Sequence, residues 1–413
     1  MNLRSTLLTA LFLPLFAQAQ SSPGIPDGPI PALVARPLLE QDPSVAAARA
    51  TLDAARRESN ILDASPYEWT ARATGQRRRV ENEANSNEWN VALERTIRLP
   101  AKASADRKLG QATVDEAEAR YGEAMHEAAR DLLELWMAWL QANANYELSK
   151  SMQQFAVENL SAVQKRAKAG DAAKLDVSLA QSELAEQRRQ TNEAKLGASL
   201  TWTQLHSRFP GFDGQFSNFP NISALAQDSG YLQARIREQS DRFKAAEAAW
   251  RSADAQAQRS RAERTPDPTL GVFSGSEARG RERLVGVSIS IPIPSGSRSE
   301  RAIQATHVAE AKRQELEAIR RQIGAEIDSS IITVQSNYDG MLLAEESANS
   351  MRENARLMQR AYLLGEGDLQ GLLLTQRQAA TAQQGALGAK TSAIRSYYQL
   401  LIDSHLIWGL EQN

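Results

Sequence analysis

The chain of 413 residues contains no cysteine, which excludes disulfides, thiolate chemistry and a lipid-bearing N-terminal cysteine. Only 6% of its residues are aromatic, and no apolar run after residue 20 approaches the roughly eighteen residues of a transmembrane helix. The net charge of −2 gives no reason to expect nucleic acid as a partner. Long stretches rich in Ala, Gln, Glu and Arg instead favour long helices with solvated faces.

Residues that carry catalysis are also scarce. The four histidines are His126, His206, His307 and His405, and no two have the spacing that chelates a metal within one helical turn. We expect them on helix surfaces or near segment boundaries. Without cysteine, a recognisable Ser, His and acid grouping or a phosphate-binding loop, the sequence predicts no enzyme, no cofactor and no metal site.

The N-terminus has the form of an export signal. Arg4 precedes an apolar run from Leu7 to Phe16, and Ala17-Gln18-Ala19 has the small-x-small form that signal peptidases accept. We therefore predict a signal peptide over residues 1–19, followed by an extended segment over residues 20–41.

The rest of the chain reads as one unit written twice, with repeats over residues 42–206 and 230–410. The linker, residues 207–229, is rich in Pro and Gly, which interrupt helices. Adding 195 to each apolar position of one helical face in the first repeat gives an apolar position of the second: Leu132, Trp136, Trp139 and Tyr146 become Ile327, Ile331, Val334 and Met341. The alternative, that any two amphipathic helices can be aligned this way, stays open because Asn143 corresponds to Tyr338.

Each repeat predicts a long helical hairpin. Residues 101–206 form the first, with its tip at Gly170, and residues 297–410 form the second, with its tip at residues 365–367. The ascending arm of about 70 residues would be on the order of 100 Å long.

Alternating apolar and small or polar residues before each long helix predict two strands per repeat, at about 66–76 and 88–99 and at about 268–275 and 284–293. Such strands, joined by charged loops, suit a transmembrane barrel. Since about eight strands are the minimum for closure, a chain with four would have to oligomerise. The alternative is a soluble sheet with one buried face.

These features together resemble the TolC-type family of outer-membrane efflux channels, over Asp42 to Leu410. The resemblance rests on the motif Gly170-Asp171-Ala172-Ala173-Lys174-Leu175-Asp176-Val177, on Tyr362-Leu363-Leu364-Gly365-Glu366, and on the strand-ending prolines Pro100 and Pro294. Two further segments, Asp42 to Ala50 and Pro266 to Gly271, look most similar to the branch that serves heavy-metal (cobalt-zinc-cadmium type) efflux pumps.

The resemblance implies an α+β membrane protein: a homotrimer whose 12-stranded outer-membrane β-barrel continues into a periplasmic α-helical barrel. It further implies a tripartite efflux system, in which the channel docks to a periplasmic adaptor (membrane fusion) protein and an inner-membrane pump that is expected to be proton-driven.

The resemblance also assigns roles at the tips. Gly170, Lys174, Leu175, Val177, Tyr362, Gly365 and Glu366 would contact the adaptor. Asp176 matches a position at which the family narrows its tunnel with carboxylates, so three copies would form an acidic ring that favours cations. Asp171 and Asp368 would cap the returning helices and also be gate candidates. Gly371 and Leu374 stand where the family's second-repeat aspartates are expected, which places the gate mainly on Asp176.

Two other classes compete with the channel. A periplasmic adaptor, or another soluble coiled-coil interaction protein, also uses long helical hairpins. However, an adaptor is expected to have one hairpin flanked by lipoyl-like and β-barrel domains, whereas this chain has two hairpins, each preceded by strands. A periplasmic enzyme is disfavoured by the missing site chemistry.

Overall fold

The computed structural model describes residues 28–79, 81, 84–225 and 229–410, so the predicted signal peptide lies outside the described residues. In chain order the elements are α1 (Ala32–Glu40), α2 (Pro43–Asp63), β1 (Trp69–Arg78), β2 (Ser86–Thr96), α3 (Pro100–Ala169), α4 (Lys174–Arg208), α5 (Ser229–Gln239), α6 (Asp241–Ala262), β3 (Thr269–Glu277), β4 (Glu282–Ser290), α7 (Gly296–Leu364) and α8 (Leu369–Asp403).

One order of elements occurs twice: a helix, two strands, a long helix, a turn and a returning helix. The long helices α3 and α7 comprise 70 and 69 residues, and the returning helices α4 and α8 comprise 35 each. At 1.5 Å per residue, each long helix is on the order of 100 Å in length. The matching order and lengths support the predicted duplication.

Both long helices end at a glycine in the left-handed conformation. Gly170 has φ 90° and Gly365 has φ 81°, a region that residues with a Cβ rarely adopt. Their amides bond back to carbonyls of the last helical turn, and the chain then reverses into α4 or α8. These are the tips of the two hairpins.

The prediction of an extended segment over residues 20–41 is wrong where the structure describes it, because α1 occupies its second half. Pro37 lies inside this short helix, but Ala35, Leu38 and Leu39 are buried in the main core. Packing of this face therefore outweighs the local cost of the proline.

The strands lie closer to their connecting turns than the alternation predicts. β2 ends at Thr96 and β4 at Ser290, so Ile97 and Ile293, which continue the alternation, lie outside the ladder. Pro292 and Pro294 cannot donate a ladder hydrogen bond, and Pro100 is the first residue of α3.

The four strands form one antiparallel sheet in the order β1-β2-β3-β4. Next to the sheet the helices pack in the order α2-α3-α6-α7, and towards the tips in the order α4-α3-α8-α7. The outermost elements are β1 and β4 in the sheet, α2 and α7 in the helical layer next to the sheet, and α4 and α7 in the helical layer towards the tips. In the described part of the chain, β1 and β4 therefore each have one unpaired edge.

The main core lies midway along the helices, where α1 and the linker after α4 cover them. Leu132 and Trp136 of α3 and Ile327, Ile331 and Val334 of α7 are buried there, which confirms the predicted apolar faces at these positions. None of the described helices is both long enough and apolar enough to span a membrane.

Candidate functional site

One face of the sheet, the apolar face, is exposed although it is made largely of Val, Ile, Leu and Trp. Val285, Val287 and Ile289 of β4 are 85%, 82% and 66% exposed. The ladder places Ala71, Leu93, Val272 and Val287 in one row across the four strands. Exposed apolar surface of this extent is typical of a surface that contacts lipid or another protein.

Aromatic residues and arginines bound the apolar face at both ends. Trp89 lies at the loop end, the end formed by the two hairpin turns, in the same row as Arg283. Trp69 lies at the opposite, helix end, with the guanidinium of Arg95 5.4 Å from its ring centre. The six residue steps from Trp89 to Arg95 span on the order of 20 Å, close to the apolar band of outer-membrane strands.

The opposite face, the polar face, is lined by bonded polar groups. Arg72 pairs with Glu94 at 3.5 Å, Gln76 donates to Glu88 at 2.8 Å, and the hydroxyls of Thr96 and Thr269 lie 2.8 Å apart. A sheet with one face of each kind separates an apolar environment from water.

A buried ionic network lies where the strands join the helices. Asp267 accepts hydrogen bonds from the Tyr67 hydroxyl at 2.6 Å and the Leu99 amide at 3.0 Å, and Lys102 Nζ lies 3.0 Å from it. Burial alone would raise the pKa of Asp267, but these three donors hold it below its usual value.

Two arginines extend this network to the ends of α2 and α6 and the start of α7, the other crossings at which the chain passes between strands and helices. Arg98 donates to the carbonyl oxygens of Leu62, Asp63 and Ala64, which end α2, and Arg298 donates to the carbonyl oxygen of Glu263, which ends α6. All four crossings between strands and helices are thereby joined, a role for which the sequence gives no periodic signal.

At the other end of the molecule, apolar side chains join the two hairpins. This tip cluster consists of Val163, Ala180, Tyr362, Leu369, Leu372 and Leu373. Tyr362, predicted to contact the adaptor, is only 6% exposed, with Arg166 stacked on its ring at 5.0 Å. Val177 is half-buried against the cluster, so both residues support the tips from inside.

The other predicted contact residues face outwards. Leu175 is 63% exposed, and Gly170, Lys174, Gly365 and Glu366 are exposed beside the turns. Leu363, Leu364 and Leu374 add exposed apolar surface nearby. The structure thus offers an apolar surface with a few charges at the tips.

The three predicted gate aspartates differ in their contacts. Asp368 caps α8, accepting from the Gly371 amide at 2.6 Å. Asp176 accepts from the Ala173 amide at 3.1 Å, so it, and not Asp171, bonds at the start of α4. The capping role predicted for Asp171 is wrong because α4 begins two residues later than a cap at Asp171 requires, and Asp171 is exposed before it.

Sequence reasoning missed a link between the returning helices. The Arg377 guanidinium of α8 binds the carboxylate of Glu183 of α4, which is 5% exposed and also accepts from Gln187. Glu183 and Arg377 are 194 positions apart, so no local pattern joins them.

The placement of the histidines on helix surfaces or near segment boundaries is wrong for His126, which is buried within α3, whereas His405 follows the end of α8 and so lies near a boundary, although it is buried. His126 and His405 are buried with ring centres 5.5 Å apart, beside Asp403, Arg130 and Asp241. Burial, together with the nearby charge of Arg130, lowers the pKa of His126 to about 4. Burial also raises the pKa of Asp403, although Arg130 opposes this. Among the described residues, no group of three or more His, Asp or Glu is arranged to hold a metal ion.

Three solved structures with the same fold are outer-membrane proteins. The structure resembles VceC from Vibrio cholerae with a TM-score of 0.72 at 16% identity, covering 90% of this chain and 95% of VceC. The CmeC outer membrane channel of Campylobacter jejuni gives 0.76 at 15% identity, covering 92% and 86%. The MtrE outer membrane channel of Neisseria gonorrhoeae gives 0.73 at 15% identity, covering 92% and 90%. At these identities the likeness shows the fold.

Family membership follows from the sequence itself. No curated protein matches the chain. The sequence profile described as outer membrane efflux protein matches residues 34–207 and 232–401, which together take in most of both repeats. The match agrees with the prediction of a transport protein and not an enzyme. The chain therefore belongs to the outer membrane efflux protein family.

Proposed function

We propose that the chain is the outer-membrane channel subunit of a tripartite efflux system, conducting substrates from the periplasm to the exterior when docked to a periplasmic adaptor and an inner-membrane pump. The observation that carries the proposal is the sheet with one exposed apolar face and two open edges, β1 and β4. Open edges and exposed apolar faces require a partner.

A ring of copies satisfies both requirements. β4 of one copy would pair with β1 of the next, and α7 would pack beside α2 and α4 of the next copy, because these are the outermost elements in their layers. Such head-to-tail contacts close into rings. Three copies would supply twelve strands, enough for a barrel with its apolar face towards lipid.

The duplication supplies a register for this seam. Pro100 follows β2 and Pro294 follows β4, and these two prolines are 194 positions apart. With the same offset, Trp89 of β2 corresponds to Arg283 of β4. Within the chain, Trp89 faces Gly75 on one side and Ser276 on the other, and Arg283 faces Ser276. The next copy should therefore place Gly75 opposite Arg283, and Ala73 opposite Val285.

Engineered cysteines test the ring, since the natural chain has none. We expect Ala73→Cys with Val285→Cys to give disulfide-linked trimers in membranes. Within one chain these positions lie three strand spacings apart, on the order of 14 Å, so a bond must join two copies. Thr74→Cys with Val285→Cys, on opposite faces, is the control and should stay unlinked. Recovery of the Ala73→Cys and Val285→Cys variant as a soluble monomer would refute the channel proposal.

Heavy-metal cations are the proposed substrates, on the strength of the motifs Asp42 to Ala50 and Pro266 to Gly271. A strain lacking the gene should become sensitive to cobalt, zinc or cadmium and regain tolerance with the gene restored. Sensitivity to organic drugs with unchanged metal tolerance would assign the channel to another substrate class.

A further inference from the structure

Charged side chains at the loop end of the sheet are segregated by face. On the polar face, Arg78 lies 3.2 Å from Glu88 and 3.5 Å from Glu277. Glu282 is opposite Glu277 in the ladder and shares that face. At the loop end, the acidic residues of the described strands therefore all lie on the polar face, where the Arg78 guanidinium neutralises part of their charge.

Two arginines of the loop end lie on the apolar face instead. Arg77 follows Gly75 by two residues on β1, and Arg283 precedes Val285 by two on β4, so each continues its strand's outward row. Both side chains are exposed, and neither guanidinium group forms a hydrogen bond or ion pair within the described part of the chain. The described strand residues of this face include no Asp or Glu.

The arginine at the helix end provides a contrast. Arg95, also on the apolar face, stacks on Trp69 and donates to the carbonyl oxygen of Tyr67 at 3.3 Å. Its guanidinium group is thus engaged inside the chain, by the ring of Trp69 and through its Nε donor. Among the described residues the guanidinium groups of Arg77 and Arg283 have no such partner, so we infer that they are available to an external anion.

The proposed ring brings these two arginines together. In its register, Arg283 is opposite Gly75 of the next copy, and the next copy's Arg77 is the diagonal neighbour on the same face, at a distance that long side chains can bridge. A Cβ added at Gly75 would meet nothing within 4 Å, so the space above this glycine is open.

We propose that Arg283 of one copy and Arg77 of the next bind a phosphate group of a membrane-lipid headgroup above Gly75, at each of the three seams. The guanidinium fork matches phosphate geometry. The site lies at the edge of the apolar band, where headgroups meet water. A lipid is favoured over free phosphate because Val285 and Trp89 beside the site can contact acyl chains. The inference rests on the proposed trimer, since Arg77 and Arg283 of a single copy lie on opposite edges of the sheet and do not form a pair.

Lipid retention measured by native mass spectrometry on the purified full-length trimer tests the site. Diphosphorylated lipid A is the probe, and its dephosphorylated form and inorganic phosphate are the comparisons. We expect Arg77→Gln with Arg283→Gln to lower retention of the phosphorylated lipid about tenfold, as expected for the loss of charge-assisted bonds. Arg49→Gln with Arg57→Gln on α2, which removes two exposed charges beyond the helix end of the sheet and away from its loop end, should leave lipid retention unchanged.

Single variants separate a shared site from two independent ones. If both guanidinium groups hold one phosphate, either substitution alone should cost nearly as much as both together. Independent additive losses, equal retention of the dephosphorylated lipid, or displacement by inorganic phosphate would each overturn the inference. The Ala73→Cys and Val285→Cys pair is introduced into the same variants: missing trimers would refute the proposed function, whereas intact trimers with unchanged lipid retention refute only this site.

Discussion

Burial changes the chemistry of His126 more than any neighbour in sequence does. Its pKa of about 4 lies below the ordinary value of 6.5, so the unfolded chain takes up a proton first as the pH falls. The stability that neutral His126 contributes is full above pH 6.5 and is lost progressively down to about pH 4. The loss amounts to about 3 kcal/mol at most.

We expect His126→Gln to reduce the fall in thermal stability between pH 6.5 and 4. The control is His307→Gln, since His307 is exposed on α7. The measurement is the unfolding midpoint of each variant across this pH range. Equal slopes for wild type and His126→Gln would show that His126 does not cause the loss.

At this scale the sequence predicts residues whose role is local. The sequence predicts Gly170 and Gly365 at the tips because reversal after a helix favours glycine, and both have positive φ. The contact of His126 with His405 joins α3 to the turns after α8. No periodicity indicates which distant segments will meet, so this contact could not be predicted.

Among the elements, the crossings between strands and helices depend most on a few charges. Lys102 is only 2% exposed and lies 3.0 Å from Asp267 and 3.4 Å from Glu263. We expect Asp267→Asn to destabilise the fold by about 3 kcal/mol, because removing one partner leaves a buried charge poorly compensated. Denaturant unfolding of the purified protein measures the change.

Two further variants make this test specific. Asp53→Asn on α2 removes a carboxylate from an exposed pair with Arg56 and should cost less than about 1 kcal/mol. Lys102→Met added to Asp267→Asn should recover part of the loss, since the isolated charge is then absent. No recovery would assign the effect to the Tyr67 and Leu99 bonds.

The existence and type of the elements were more predictable than their ends. Seventy-residue helices free of internal proline and strands of period two leave strong patterns. The strand ends shifted because Ile97 and Ile293 continue the alternation beyond the ladder, and α1 was missed because Pro37 conceals a helix held by tertiary packing.

For the whole molecule, the predicted gate is a feature that only three copies together would create. We expect Asp176→Asn to raise single-channel conductance, or to lower block by cations, in planar bilayers, because a ring of three carboxylates loses its charge. Asn keeps an oxygen that can accept from the Ala173 amide, so the cap of α4 is retained. Asp368→Asn, which likewise keeps its cap, is the matched control.

A change in conductance equal for both variants would point to a general effect of charge at the tips, and no change would remove Asp176 from the gate. The tip residues illustrate how far the sequence reached. Their positions followed from the motifs, but the inward placement of Tyr362 and the link from Glu183 to Arg377 depend on how two hairpins pack.

The equal arm lengths of the two hairpins set a single distance from the sheet to both tips. Because α3 and α7 differ by one residue and α4 and α8 are equal, both tips end at one level and share the tip cluster. One added heptad lengthens a helix by about 10 Å. Placed in α3 alone, it would separate Val163 from Tyr362. Changing the distance from sheet to tips while keeping the tip cluster therefore needs four matched insertions, one in each of α3, α4, α7 and α8. A single insertion cannot change this distance without disrupting the cluster.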